Sequence, residues 1–232
     1  MTDPRVPTAS GDIAAQAEAP LLSVRQLATI AWLAIALGFV MQGLILAAKL
    51  VSGGSLSGAQ LFLDIVQGVT WAFLVCVGLG IGTAITKVRP LLTGVLGLIG
   101  APLAIGAAKA SQQAVASLLD SVGQPAVLSL ATISALKSVE YGVLGWLLGL
   151  LAQRQVARLT PYLLSGSVIG LVFGGGIAAL SHHVALAKGL NPGLPQIVGS
   201  VVNEVVFPIG CSLVIYMGQL IGRHVNVTSS RS

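Results

Sequence analysis

Four ionisable side chains stand inside long apolar runs of this chain: Asp64, Lys137, Glu140 and Glu204. At the centre of a bilayer such a group costs about 2.5–3.5 kcal/mol on insertion scales, so each needs a partner or a function to account for it. Lys137 and Glu140 are three residues apart, share one helical face and can pair within the helix. Polar neighbours accompany them: Gln67 follows Asp64 by three residues, and Asn203 adjoins Glu204. Asp64, Gln67 and Trp71 run i, i+3, i+7 along a single stripe. Pro208 cannot donate a backbone hydrogen bond, which leaves free the carbonyl one turn earlier, near Glu204. Carboxylate, amide and free carbonyl are the groups a desolvating cation or a shuttling proton requires. The simpler alternative is that Lys137 and Glu140 neutralise each other, Asp64 snorkels to the interface, and Glu204 bonds to neighbouring backbone.

Other chemistries lack their signatures. The sequence holds no Walker motif, HExxH, GxSxG or Rossmann glycine fingerprint, so we expect no enzyme, no catalytic residue and no cofactor. His182 and His183 are adjacent and diverge on a helix, which suits a polar cap at an interface, and no metal site is expected. Cys76 and Cys211 lie far apart in apolar runs, outside any CxxC spacing, and read as small buried hydrophobes.

What must position these residues is lipid-embedded helix. Only 8% of the 232 residues are charged and 55% are hydrophobic, against about 25% charged in a soluble domain. The pI near 9.6 reflects basic residues flanking apolar runs and does not point to nucleic acid. A spanning helix needs about 20 mostly apolar residues; roughly 27–50, 60–85, 91–109, 126–152, 161–181 and 197–221 qualify. The fold class is therefore an all-α integral membrane protein with six transmembrane helices. Residues 1–25 read as a disordered cytoplasmic tail, 26–223 as the membrane domain and 224–232 as a second cytoplasmic tail. All the arginines, with Lys87, fall in the tails, just after the sixth span, or in the connections after the second and fourth spans; Lys49, Lys109 and Lys188 fall at the other end. The positive-inside rule then makes both termini cytoplasmic, and compact loops fit a bacterial-type inner (plasma) membrane. The Asn226-Val-Thr sequon falls on the cytoplasmic side and is not expected to carry glycan. Residues 111–120 read as a short interfacial helix, and 182–195 as a Gly/Pro loop.

A weak internal repeat relates Asp64-Ile-Val-Gln67-Gly68 to Lys137-Ser-Val-Glu140-Tyr141-Gly142, suggesting three tandem helical hairpins in parallel repeat. Gly166, Gly170 and Gly174 recur every four residues, as do Gly145 with Gly149, Gly78 with Gly82, and Gly218 with Gly222. Such faces allow close helix packing, either within the monomer or in a homo-oligomer or larger membrane complex. Each even-numbered span delivers a carboxylate to its outer or central part, and the odd-numbered spans deliver none. The expected function is a small transporter or channel-like carrier for a small ion, proton or polar solute. Its pathway would use Asp64, Gln67, Lys137, Glu140, Asn203 and Glu204. The alternative is a non-catalytic structural or accessory subunit of a larger membrane complex, packing through its glycine faces.

Overall fold

A computed structural model describes the backbone of residues 9–55, 57–85, 90–119 and 127–229, and the side chains of these residues between 24 and 221 except Ile85. Arg5, Lys87, Arg89 and Arg231 lie outside the described residues, as do the side chains of Arg223, His224 and Asn226. Among the described residues the secondary structure is helical, without strands. The helices are α1 (Ala9–Val51), α2 (Gly58–Ile85), α3 (Pro90–Leu118), α4 (Leu130–Gln153), α5 (Leu159–Ile169), α6 (Gly175–Ala187) and α7 (Leu194–Ser229), with a π-helical turn at Gly170–Gly174 joining α5 to α6. Six helical segments are long and apolar enough to cross a membrane, α5 and α6 together forming the fifth. No more than 39% of any span's most apolar window is buried within the protein. Trp32, Leu103 and Leu171 are 74%, 68% and 65% exposed; this apolar exterior fits lipid as solvent. The chain is a six-span helical membrane protein.

Three segments are more helical than their composition suggests. The backbone is helical from Ala9, within the segment read as an irregular tail, through a run of Ala, Gln and Glu with strong helix propensity. Residues 111–118 form no separate interfacial helix but continue α3; Gln112 is tolerated there because its Oε1 accepts from Lys109 Nζ at 3.1 Å, one turn back. His182 to Ala187 belong to α6 and not to a loop. That helix stops only at Gly189, whose φ of +70° lets Leu190 N–H close back onto the Ala185 carbonyl at 2.9 Å.

Consecutive spans pack as antiparallel hairpins: α1 on α2, α3 on α4, and α5/α6 on α7. The α1 and α7 helices also pack together, as do α2 and α3, so the bundle closes around its own core. Below the cavity described in the next subsection, that core contains Ile30, Ala34, Cys76, Leu79, Leu144, Leu148, Cys211 and Ile215.

Most of the glycine faces are used inside this bundle, although Gly78 has open space before it. A β-carbon on Gly166 would meet the Pro208 carbonyl at 2.7 Å and the Ile209 Cα at 2.8 Å, one on Gly170 would strike the Val205 carbonyl, and one on Gly174 the Glu204 carbonyl. Gly145 and Gly149 sit likewise against the Thr93 and Pro90 backbone. Because α7 backbone, and not a flexible side-chain tip, is the obstacle, Gly170→Leu must push α5 away from α7. We expect it to lower stability in detergent by at least the 1–3 kcal/mol (about) typical of overpacking. An unchanged melting temperature would show that this face is not the contact described.

Candidate functional site

The α1–α2 hairpin fixes the mouth of the site. Gly53, at φ +84°, ends α1 with the Gly54 N–H bonded to the Lys49 carbonyl at 2.9 Å. Lys49 stands in the last turn of α1, whereas Asp64 lies almost two turns into α2, so the long lysine stem must reach along the hairpin toward the membrane interior to meet it. Lys49 Nζ lies 3.4 Å from Asp64 Oδ2, and Gln60 Nε2 donates to Asp64 Oδ1 at 2.7 Å. The stem of Lys49 rests on Gly199 of α7, where a β-carbon would approach its Cε to 2.9 Å. One lysine thus ties α1, α2 and α7 together at the end of the bundle where α1 meets α2.

The floor is built by α4 and α7. Ser129 caps α4, its Oγ accepting from Thr132 N–H at 3.1 Å, and Lys137 follows two turns into the helix. Its Nζ lies 2.8 Å from Glu140 Oε2 and 2.5 Å from Glu204 Oε2. The first contact is the i,i+3 pair that the spacing predicts, whereas the second crosses from α4 to α7. The side chains of Lys137, Glu140 and Glu204 are 7%, 0% and 13% exposed, so the whole triad is withdrawn from solvent. Asn203 Nδ2 donates to Glu204 Oε1 at 3.2 Å. Glu140 Oε1 has no hydrogen-bond partner among the described residues.

Between mouth and floor lies a cavity of about 350 Å³, lined by Asp64, Gln67, Lys137, Asn203 and Glu204, together with Gln42, Lys109, Gln196 and Ser200. It shares Gln42, Ile45, Lys49, Asp64 and Gln196 with a wider chamber of about 610 Å³ at the 53–57 connection. The two make one vestibule that narrows inward. Gly68 allows Gln42 onto the wall, because a β-carbon there would fall on the Gln42 amide. Five of the six residues expected along a pathway therefore line a single cavity. Glu140, the sixth, stands behind Lys137 and reaches the cavity only through it.

Asp64 departs from the expected convergence of three carboxylates: it belongs to the mouth pair with Lys49, while Glu140 and Glu204 alone meet at Lys137. The floor itself is aromatic. Trp71 packs edge-on to Tyr141 with centroids 5.4 Å apart, and Phe207 lies 6.0 Å from Trp71 and 6.3 Å from Tyr141. These rings come from α2, α4 and α7, the three even-numbered spans, and close the cavity toward the other end of the bundle. Lys137 Nζ stands 5.4 Å from the Tyr141 ring centroid.

Sequence reasoning passed over Gln60, Gln196 and Ser200, and gave Lys49 and Lys109 only a topological role. The available signal for Lys49 is its place in the last turn of the span that the first connection joins to Asp64's helix, within reach of a lysine side chain. One turn beyond the aromatic layer, Cys76 and Cys211 are both free and buried. Though distant in sequence, they bring their sulfurs to 3.3 Å. No family model matches the chain, and no curated protein or solved structure matches it either.

Proposed function

We propose that this protein is a small membrane transporter, a carrier or channel-like pathway for a small ion, proton or polar solute, with no bond-making chemistry of its own. The observation that carries the reading is the cavity of about 350 Å³ ending on the Glu140–Lys137–Glu204 triad. A self-neutralising pair would need one carboxylate. Here two meet one lysine, at the bottom of a polar vestibule inside an apolar bundle, where ionisable groups are costly and mark pathways. The cavity closes on Trp71, Tyr141 and Phe207, which fits an access state open at one end only. Movement of α7 against α5/α6 is one route to the opposite state. The seam there is glycine against backbone, the π-helical turn Gly170–Gly174 interrupts the fifth span, and π-bulges are frequent at functional sites.

The test is uptake into proteoliposomes against protein-free liposomes, over a panel of monovalent and divalent cations, a proton gradient and small polar solutes. Uptake of at least one species above background is expected. Absence of any uptake, together with copurification of a stoichiometric partner, would transfer the chain to the alternative class of accessory subunits. Some glycine faces remain for such a partner: Gly100 and Gly106 of α3 have open space before them.

In orientation, the reading places the vestibule outside, both termini in the cytoplasm, and the protein in a bacterial-type inner membrane. Cysteine at exposed Leu190 should react with an impermeant thiol reagent added to intact cells, and cysteine at exposed Ala157 should not. The native thiols are buried and should stay silent. Labelling at 157 without labelling at 190 would reverse the topology.

A further inference from the structure

The charges of the vestibule do not balance locally. At the mouth, Lys49 and Asp64 pair one to one. At the floor, two carboxylates meet one ammonium, so the fully ionised triad carries one negative charge in excess. Lys137, Glu140 and Glu204 have little contact with solvent, so water compensates that charge poorly. Glu140 Oε1, buried and without a hydrogen-bond partner among the described residues, marks the same deficit. The floor therefore needs one more positive charge, which either a proton on one carboxylate or a bound cation can supply.

Its surroundings restrict what could bring that charge. Trp71 and Phe207 line the cavity beside Glu204, and aromatic faces attract cations, Trp most strongly. The protein already makes one such contact, Lys137 over Tyr141. Divalent ions ask for a cage of several oxygen or nitrogen ligands, and no cluster of three or more His, Cys, Asp or Glu side chains able to hold a metal occurs among the described residues. The volume of about 350 Å³ falls in the range of organic-ligand pockets, about 300–1,000 Å³, and exceeds what a bare ion would fill. The cavity lining holds Lys49, Lys109 and Lys137 beside Asp64 and Glu204; Lys49 and Lys137 are already engaged by carboxylates, which leaves an anion only Lys109, the wall cation with no carboxylate partner among the described residues.

We propose that the cavity binds a small organic cation, an amine or quaternary ammonium, with its charged group between Trp71, Phe207 and Glu204 and its remainder among the amides of the vestibule. This deepens the transport reading by naming the solute class, and it rests on the cavity being the solute site. Lys137 then holds the two carboxylates apart in the empty state, and the ligand cation supplies the charge the triad lacks.

The test is equilibrium binding to the purified full-length protein in nanodiscs at low salt, by calorimetry and tryptophan fluorescence. Three probes of one shape and different charge serve: benzylammonium, benzyl alcohol and benzoate. Benzylammonium should bind at least about tenfold more tightly than benzyl alcohol, and benzoate more weakly than either. Glu204→Gln should reduce benzylammonium to the affinity of benzyl alcohol. Lys109→Gln, which removes a cation from the wall, should tighten benzylammonium severalfold and leave benzyl alcohol unchanged. That gain cannot come from misfolding. Equal binding of the cation and the alcohol, preference for benzoate, or no binding of any probe overturns the proposal. Charge-selective binding without benzylammonium uptake into proteoliposomes would leave it standing and remove the transport reading. Uptake of protons or inorganic ions without benzylammonium binding would do the reverse.

Discussion

Lys137→Met is expected to be the most destabilising single change at the cavity floor, lowering the stability of the folded bundle in detergent by about 3–5 kcal/mol, the cost of breaking a buried ion pair from one side. Methionine fills the space of the lysine stem, so packing is nearly conserved and the lost quantity is charge. What remains is Glu140, fully buried, and Glu204, 13% exposed, both previously held by the same Nζ. Neither has a second cation within ion-pair distance among the described residues. The control is the triple variant Lys137→Met/Glu140→Gln/Glu204→Gln, which removes all three charges at similar volume. Neutral replacement of a whole buried ionic group is often harmless or stabilising, so the triple should recover most of the loss. Should Lys137→Met melt with the wild type, the triad's charges are not what couples α4 to α7 at this level.

That coupling marks the limit of what the residue order could convey. The Lys137–Glu140 contact was legible because i,i+3 spacing on a helix is a local property. Six spans were legible for the same reason, since apolar length is counted along the chain. The Glu204–Lys137 contact depends on how α7 rotates against α4, which no periodicity encodes. Cys76 and Cys211 were hidden by the same gap: both were read as buried, and only the packing of α2 against α7 makes them neighbours. The errors at 111–118 and 182–187 have another origin. Polar residues suggest a helix end, yet Gln112 bonds to Lys109 in the same helix, and the next glycine after His182 and His183 comes only at 189. Asp64 was read as a free pathway carboxylate because Lys49 had already been assigned to topology. The reach of its side chain across the hairpin gives that lysine both roles.

The glycine seam and the carboxylate site meet at one residue. Glu204 offers its side chain to Lys137 and its carbonyl toward Gly174, in the π-helical turn of the fifth span. Pro208 supplies no N–H to that carbonyl. Ser212 Oγ instead donates to the Pro208 carbonyl at 2.9 Å, one turn further on. The α7 backbone is thus least tightly bonded at the level of the site, where a helix can bend with little loss. A change in the charge at Glu204 therefore acts at the level where Pro208 removes a backbone hydrogen bond from α7.

Glu204→Gln should accordingly cut transport sharply while sparing the fold. Glutamine keeps the shape of the side chain, and its Oε1 can still accept from Asn203 Nδ2. Lys137 retains Glu140 at 2.8 Å, so no buried ammonium is left unpaired and the melting temperature should stay close to that of the wild type. What disappears is the cavity-lining carboxylate, the one member of the triad's acidic pair that a solute can touch. Hydrogen bonds to charged groups contribute about 1.5–3 kcal/mol, which corresponds to a loss of roughly tenfold to a hundredfold in flux at limiting substrate. Glu140→Gln should differ in kind. Glu140 does not line the cavity, so its removal should alter the position of Lys137 and the stability of the floor more than solute affinity. Flux into proteoliposomes made with each variant, measured beside their melting temperatures, separates the two. If Glu204→Gln carries solute at the wild-type rate, the pathway does not pass the triad, and the polar floor is a structural bridge between α4 and α7.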